Sequence, residues 1–281
     1  MIRIIFTLAM LIFASIVQAG ERFITLASTT STQNSGLYDY LLPIFTGETG
    51  IEVRVVAVGT GQAIKIARNG DADVLLVHHR PSEDAFVELG YGIERRDVMY
   101  NDFVIIGPQS DPAGVSKQTK ARDGLAEIAD NTALFISRGD ESGTHKREKE
   151  LWALSGIFPQ SEWYREIGAG MGAALNMAAS VDAYTLSDRG TWLSFGNKGN
   201  LALLLSGDDA LFNPYGIILV NPALHPHAKT DMARRFSDWI VSDTAQKAIG
   251  AFTLHNMQLF CPNAHPMQNT DVICPSSKPR N

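Results

Sequence analysis

Cysteine is nearly absent: the 281 residues include two, Cys261 and Cys274, both close to the C-terminal end. That excludes a disulfide-built scaffold and leaves no Cys/His spacing suited to a zinc site. In an oxidising compartment the pair is expected to close one small loop, tying down a tail broken by Pro262, Pro266, Pro275 and Pro279. Long apolar runs are equally scarce, and beyond the first residues none reaches the roughly 20 that a membrane span needs. Runs of basic residues are missing too. With a formal net charge of −6, the composition argues against a nucleic-acid partner. The same balance means that the chain cannot attract an anion by overall charge; local dipoles and one or two fixed cations must do that work. There is no Gly-x-Ser-x-Gly elbow, no internal repeat, no low-complexity block and no flexible linker.

The first residues read as a secretory signal. Arg3 gives a positive start, Ile4 to Val17 is apolar, and Val17-Gln18-Ala19 resembles a small-residue cleavage site before Gly20. Cleavage after residue 19 removes Arg3 and takes the net charge from −6 to −7. The mature protein is expected in the periplasm, as a monomer.

From Phe23 onward, strand-like apolar runs alternate with helical periodicity. Strands are predicted at 23–27, 53–58, 74–77, 103–107, 133–136, 183–186, 201–205 and 216–220. Helices are predicted at 34–45, 61–69, 82–89, 143–155, 170–180, 227–241 and 243–251. The alternation predicts an α/β fold of two lobes, each a mostly parallel sheet flanked by helices. The breaker-rich stretch Gly107 to Pro112 marks a first crossing between lobes and Asn213-Pro214-Tyr215-Gly216 the return. Residues 20–107 plus 217–281 then form lobe 1 and 108–216 lobe 2.

Two corners stand out. Ser28-Thr29-Thr30-Ser31-Thr32 joins a strand to a helix, and Ser137-Arg138-Gly139-Asp140-Glu141-Ser142-Gly143-Thr144 does the same later. The first turn of a helix presents unpaired, partly positive N–H groups, and an arginine before it makes a pocket for a tetrahedral oxyanion. Gly59-Thr60-Gly61 is a third, weaker glycine turn of this kind. Each has a plainer reading as an N-cap or surface turn, with Arg138 simply paired to Asp140 or Glu141. His78-His79 ends a strand and is read as structural or rim-lying, with no evident third ligand for a metal. His145 is either a pH-sensitive neighbour of the corner or a solvated helix position. Tyr184 and Arg189 either line the cleft or brace the hinge, and the tryptophans pack cores.

Together these blocks resemble a known family. Ser28–Thr32, Val58-Gly59-Thr60-Gly61, Gly70–His78, Val98–Pro108, Ser137–Asp140 with Ser142–Thr144, and Ala183–Thr191 are similar to the tungstate-binding periplasmic proteins of ABC importers, the TupA family of the type II substrate-binding fold. The resemblance implies a bilobed protein that closes on tungstate, or on molybdate as its close analogue, and hands it to a membrane permease. It needs no cofactor and performs no catalysis. It implies ligand contacts from Thr30, Ser31, Gly59, Thr60, Gly61, Arg138, Ser142, Gly143 and Thr144. Tungstate near neutral pH only accepts hydrogen bonds, so hydroxyls, N–H groups and a guanidinium suit it. The Arg-x-Asp-x-Ser-Gly-Thr pattern also resembles phosphate-binding loops, where an aspartate accepts the proton that phosphate keeps. Phosphate is therefore the rival ligand, and a tungstate site requires Asp140 to turn away and orient Arg138. Two other classes stand beside these: a hydrolase using Ser31 or Ser142 with a histidine, and an adhesion or signalling module on the same fold.

Overall fold

A computed structural model describes residues 22–160, 162–254 and 256–264. The proposed signal (1–19) and Cys274 lie outside the described residues.

In chain order the elements are β1 (Phe23–Thr29), α1 (Thr30–Asn34), α2 (Leu37–Thr49), β2 (Glu52–Val58), α3 (Thr60–Arg68), β3 (Val74–Val77), α4 (Arg80–Glu88) and the long β4 (Gly92–Pro108). Then come α5 (Ala121–Asp130), β5 (Phe135–Ser137), α6 (Gly143–Leu154), β6 (Tyr164–Glu166), α7 (Met171–Val181), β7 (Thr185–Asp188), α8 (Arg189–Ser194) and β8 (Leu201–Leu205). The chain returns through β9 (Phe212–Val220) to α9 (Thr230–Ile240), α10 (Asp243–Ala251), β10 (Thr253–Leu254), β11 (Met257–Gln258) and β12 (Cys261–Pro262).

The apolar run Val74–Val77 is buried on both faces, as an uninterrupted hydrophobic strand requires. It lies between β1, to which it is parallel, and β9, to which it is antiparallel. The sheets are mixed rather than mostly parallel as expected: β1–β2, β1–β3 and β5–β6 are parallel, while β3–β9, β4–β7, β4–β8 and β4–β9 are antiparallel. Strands β4 and β9 instead run antiparallel to each other because one leaves the first lobe and the other re-enters it.

β4 organises the molecule. From Gly92 to Asp102 it pairs with β9, and from Phe103 to Pro108 it pairs with β7 and β8. The strand is unbroken through Gly107-Pro108, so the change of partner precedes the crossing expected at 107–112. Core membership divides at the same place. Two apolar clusters draw their buried members from residues up to Met99 and from Tyr215 onward. The other two draw theirs only from Phe103 to Leu211. Trp152 and Trp192 sit in the second pair of clusters and Trp239 in the first, with Trp163 packed against the second.

Arg189 grips the switch point, donating twice to the buried Asp102 carboxylate at 2.6 Å. Tyr184 braces the loop just past β4, its hydroxyl donating to Asp111 and accepting from Ala113 N–H. Cys261 is buried on β12, which adds an edge strand to β4 at Met99 and Tyr100.

Candidate oxyanion cleft

Between the two lobes lies a cleft of about 280 Å³. One wall comes from the first lobe. β1 runs on through Thr29, so Thr30 and Ser31 form the first turn of α1 rather than a loop ahead of it. The helix expected at 34–45 is split, because Gly36 takes a left-handed conformation (φ 81°) and α2 begins only at Leu37. Next to them α3 starts at Thr60 with Gly59 as its N-cap, and no side chain caps its first N–H groups. Thr60 is buried, and its Oγ1 has no hydrogen-bond partner among the described residues.

The other wall comes from the second lobe. α6 begins at Gly143, and Ser142 Oγ accepts from His145 N–H at 3.2 Å, so one hydroxyl is already spent on capping. Arg138 reaches the cleft, with Nη2 donating to Asp140 Oδ2 at 2.5 Å and Nη1 to Thr144 Oγ1 at 3.5 Å. Its Nε is buried and unpartnered among the described residues. Asp140 does not line the cleft. It also accepts from Ser142 N–H at 3.2 Å. Burial alone would raise its pKa, but the Ser142 hydrogen bonds and the Arg138 charge outweigh that and hold the carboxyl below its usual range.

Gly143 brings the walls together. A Cβ there would lie 2.8 Å from Thr60 Oγ1 and 3.1 Å from His78 Cε1, so only glycine permits this approach. Gly61 lies beside the same seam; a Cβ on it would sit 3.7 Å from the Glu141 carbonyl oxygen. Away from the cleft, His79 Nε2 lies 3.1 Å from Glu150 Oε1, and Lys146 Nζ donates to Ser82 Oγ at 3.2 Å, joining the lobes on one flank.

The structure therefore brings Thr30, Ser31, Gly59, Thr60, Arg138, Ser142, Gly143 and Thr144 around one space. Of the lining residues that sequence reasoning missed, three contributors matter most. The first is the start of α7, where Gly170, Met171, Gly172 and Ala173 face the cleft and Gly170 is an N-cap without a side-chain bond. The second is Thr191, whose N–H and hydroxyl both donate to Asp188. The third is His78, read as a rim or structural residue but here buried in the cleft lining. His145 is not the solvated helix position that one of its two readings expected. It is buried behind the corner, with Nδ1 accepting from Glu141 N–H and Nε2 3.2 Å from Glu166.

The N-termini of α3, α6 and α7, helices of nine, twelve and eleven residues, all open on this space. Each carries about half an elementary positive charge. Arg138 is the one cationic side chain in the lining, and no carboxylate lines the cleft among the described residues. The arrangement donates hydrogen bonds from nearly every direction. It is a poor nucleophile site: Ser31 Oγ and His78 Nε2 stand 3.5 Å apart, and burial pushes the imidazole down to about 4, leaving a weak base. No group of three metal-ligating side chains occurs among the described residues.

A PBP superfamily domain matches residues 17–244. The tungstate-binding protein TupA of Peptoclostridium acidaminophilum is 49% identical over 246 residues, covering 86% of each chain. The crystal structure of the tungstate ABC transporter from Geobacter sulfurreducens superposes with a TM-score of 0.77 at 48% identity, covering 83% of this chain and 99% of that one. The tungstate-binding protein TupA of Desulfovibrio alaskensis G20 gives 0.76 at 48% identity, covering 86% and 99%. With a helix N-terminus at each wall of an interlobe cleft and identity near one half across most of its length, the chain belongs to the TupA family of tungstate-binding proteins within the PBP superfamily.

Proposed function

We propose that the protein captures tungstate, with molybdate as a close analogue, and delivers it to the membrane permease of an ABC importer without catalysing any reaction. The observation that carries this reading is the mismatch between donors and acceptors in the cleft. Among the described residues Thr60 Oγ1 and Arg138 Nε are buried donors left without partners, and no carboxylate lines the cleft. A buried donor left unsatisfied costs about 1–3 kcal/mol, which a fully ionised oxyanion would recover. Asp140, held against Arg138 and Ser142 and outside the cleft lining, aims the guanidinium rather than facing the proton of a protonated phosphate. The contacts fall to Thr30, Ser31, Gly59, Thr60, Arg138, Ser142, Gly143 and Thr144, joined by the α7 N-terminus; Gly61 serves the seam between the walls.

Closure follows from the same geometry. β4 and β9 are the two strands that cross, and a change of pairing at Asp102/Phe103 gives a natural hinge, so an anion bridging both walls would favour the closed form. The signal at 1–19 and the Cys261–Cys274 pair are consistent with export to the periplasm, where the protein acts as a monomer. Calorimetric titration with tungstate and molybdate tests the reading. Tight binding at one site per chain is the expected result. Absence of heat from both anions would overturn it.

A further inference from the structure

His78 stands out because the cleft holds it in a form that suits no acceptor-only ligand. Asn213 Nδ2 donates to Asn101 Oδ1 at 2.6 Å, which turns Asn213 Oδ1 toward the imidazole. His78 Nδ1, 3.0 Å from that oxygen, is therefore the protonated nitrogen, and Nε2 carries a lone pair facing the Ser31 hydroxyl and the cleft. A dianion drawn into the space would meet that lone pair.

The charges around the imidazole sharpen the conflict. Asp188, at the end of β7, acts on it from one side and Arg138, after β5, from another, while His79 adjoins it in the chain. The rings of Tyr215 from β9 and Phe103 from β4 pack at 4.8 and 6.4 Å and bring no charge, burial holding the Tyr215 phenol well above its usual range. Arg138 is already paired with Asp140, so the two aspartates outnumber the one fixed cation before any ligand arrives. A dianion then leaves a large negative excess that helix dipoles offset only in part.

Resting on the oxyanion reading above, we propose that His78 takes up a proton from solvent on Nε2 as tungstate enters, so that anion capture is proton-coupled and the imidazolium becomes the second cation of the site. His78 then sets the proton count of capture. An acceptor-only dianion draws the proton in, whereas a protonated oxyanion such as hydrogen phosphate brings its own to the same lone pair and binds with no net uptake. In the empty protein burial keeps the imidazole neutral, down to about 4, so the proton must arrive with the ligand.

The test is calorimetric titration of the protein with tungstate in buffers of different ionisation enthalpy, between about pH 6 and 8. Uptake approaching one proton per tungstate is expected, with affinity falling by up to tenfold per pH unit as pH rises. In His78→Gln the uptake and the pH dependence should vanish. Asn213→Asp gives an independent check, because a carboxylate at Nδ1 protonates His78 beforehand and should lower the uptake without removing binding. Tight tungstate binding with heats independent of buffer would overturn the proposal, making His78 a neutral donor with both asparagine amides reversed. Uptake that persists in His78→Gln would also overturn it. No tungstate heat at all would remove the oxyanion reading and this inference with it.

Discussion

The two walls of the cleft do the same task with different chemistry. The first-lobe wall carries no fixed charge: it offers Thr30, Ser31, the uncapped start of α3 and a neutral His78. The second-lobe wall carries Arg138, already aimed by Asp140, and two hydroxyls already engaged, Ser142 by capping and Thr144 by the guanidinium. The second wall is thus pre-organised and charged, and among the described residues each wall keeps one unspent donor, Thr60 Oγ1 on the first and Arg138 Nε on the second. Such a division places the fixed charge on one lobe, while an anion that spans the cleft satisfies an unspent donor on each wall and so favours closure.

The sharpest contrast between the lobes is their response to pH. Burial pushes the His78 imidazole down to about 4 and the Glu148 carboxyl, which accepts from Tyr164 at 2.8 Å in the second lobe, up to about 8. The signs are opposite. With its folded pKa raised, Glu148 contributes fully below its ordinary 4.5 and loses that contribution as pH climbs to about 8. With its folded pKa lowered, His78 contributes fully above its ordinary 6.5 and loses that as pH falls to about 4. Glu148→Gln should therefore relieve a cost of roughly 3–5 kcal/mol near pH 8, and His78→Gln should remove an acid penalty of about 3 kcal/mol. Urea unfolding of both variants across pH measures this; parallel pH curves for variants and wild type would break the contrast.

The next largest effect falls on the charged wall. Arg138→Ala should cost tungstate affinity roughly 2–5 kcal/mol, the loss seen when one partner of a buried charge pair is truncated. Wild-type affinity by calorimetry would take Arg138 out of the site. Gly143→Ala addresses the seam, because its methyl would press on Thr60 Oγ1 and His78. Overpacking of this sort costs about 1–3 kcal/mol, and here it should weaken binding and leave the ligand-bound protein more open in solution scattering. The smallest effect belongs to the uncharged wall. Thr60→Val keeps shape and removes a hydroxyl without a partner, so affinity should fall by about 1 kcal/mol while the melting temperature holds or rises. A lower melting temperature with unchanged affinity would reassign Thr60 to a structural role.

The fold was legible where local pattern and final environment agree. Val74–Val77 and Leu201–Leu205 occur at the predicted residues because each is an apolar run bounded by turn formers. The first half of β4 was not legible. Its Arg95-Arg96-Asp97 run carries no apolar alternation, and its partners are remote in sequence, Arg95 pairing with the buried Glu83 and Arg96 with Asp238. α5 went unread as well, its Ala121–Asp130 stretch lying past the breakers taken as the lobe crossing.

The same limit governs the site. Hydroxyl-rich corners at Thr30-Ser31 and Ser142–Thr144 announce themselves, since side-chain donors have a compositional signature. The start of α7 lines the cleft with backbone, at Gly170, Met171 and Gly172, and in sequence leaves only a glycine pair before an alanine-rich helix. His78 had even less to show, because its meaning depends on Asn101 and Asn213 arriving from β4 and β9.

The central claim is that one oxyanion is held by both walls at once. A crystal of the protein grown with tungstate, with the metal located by its anomalous scattering, tests it most directly. The account predicts a single tungsten peak within hydrogen-bond reach of Thr60 on one side and Arg138 and Thr144 on the other. A peak bound to one wall only, or outside the cleft, would contradict it.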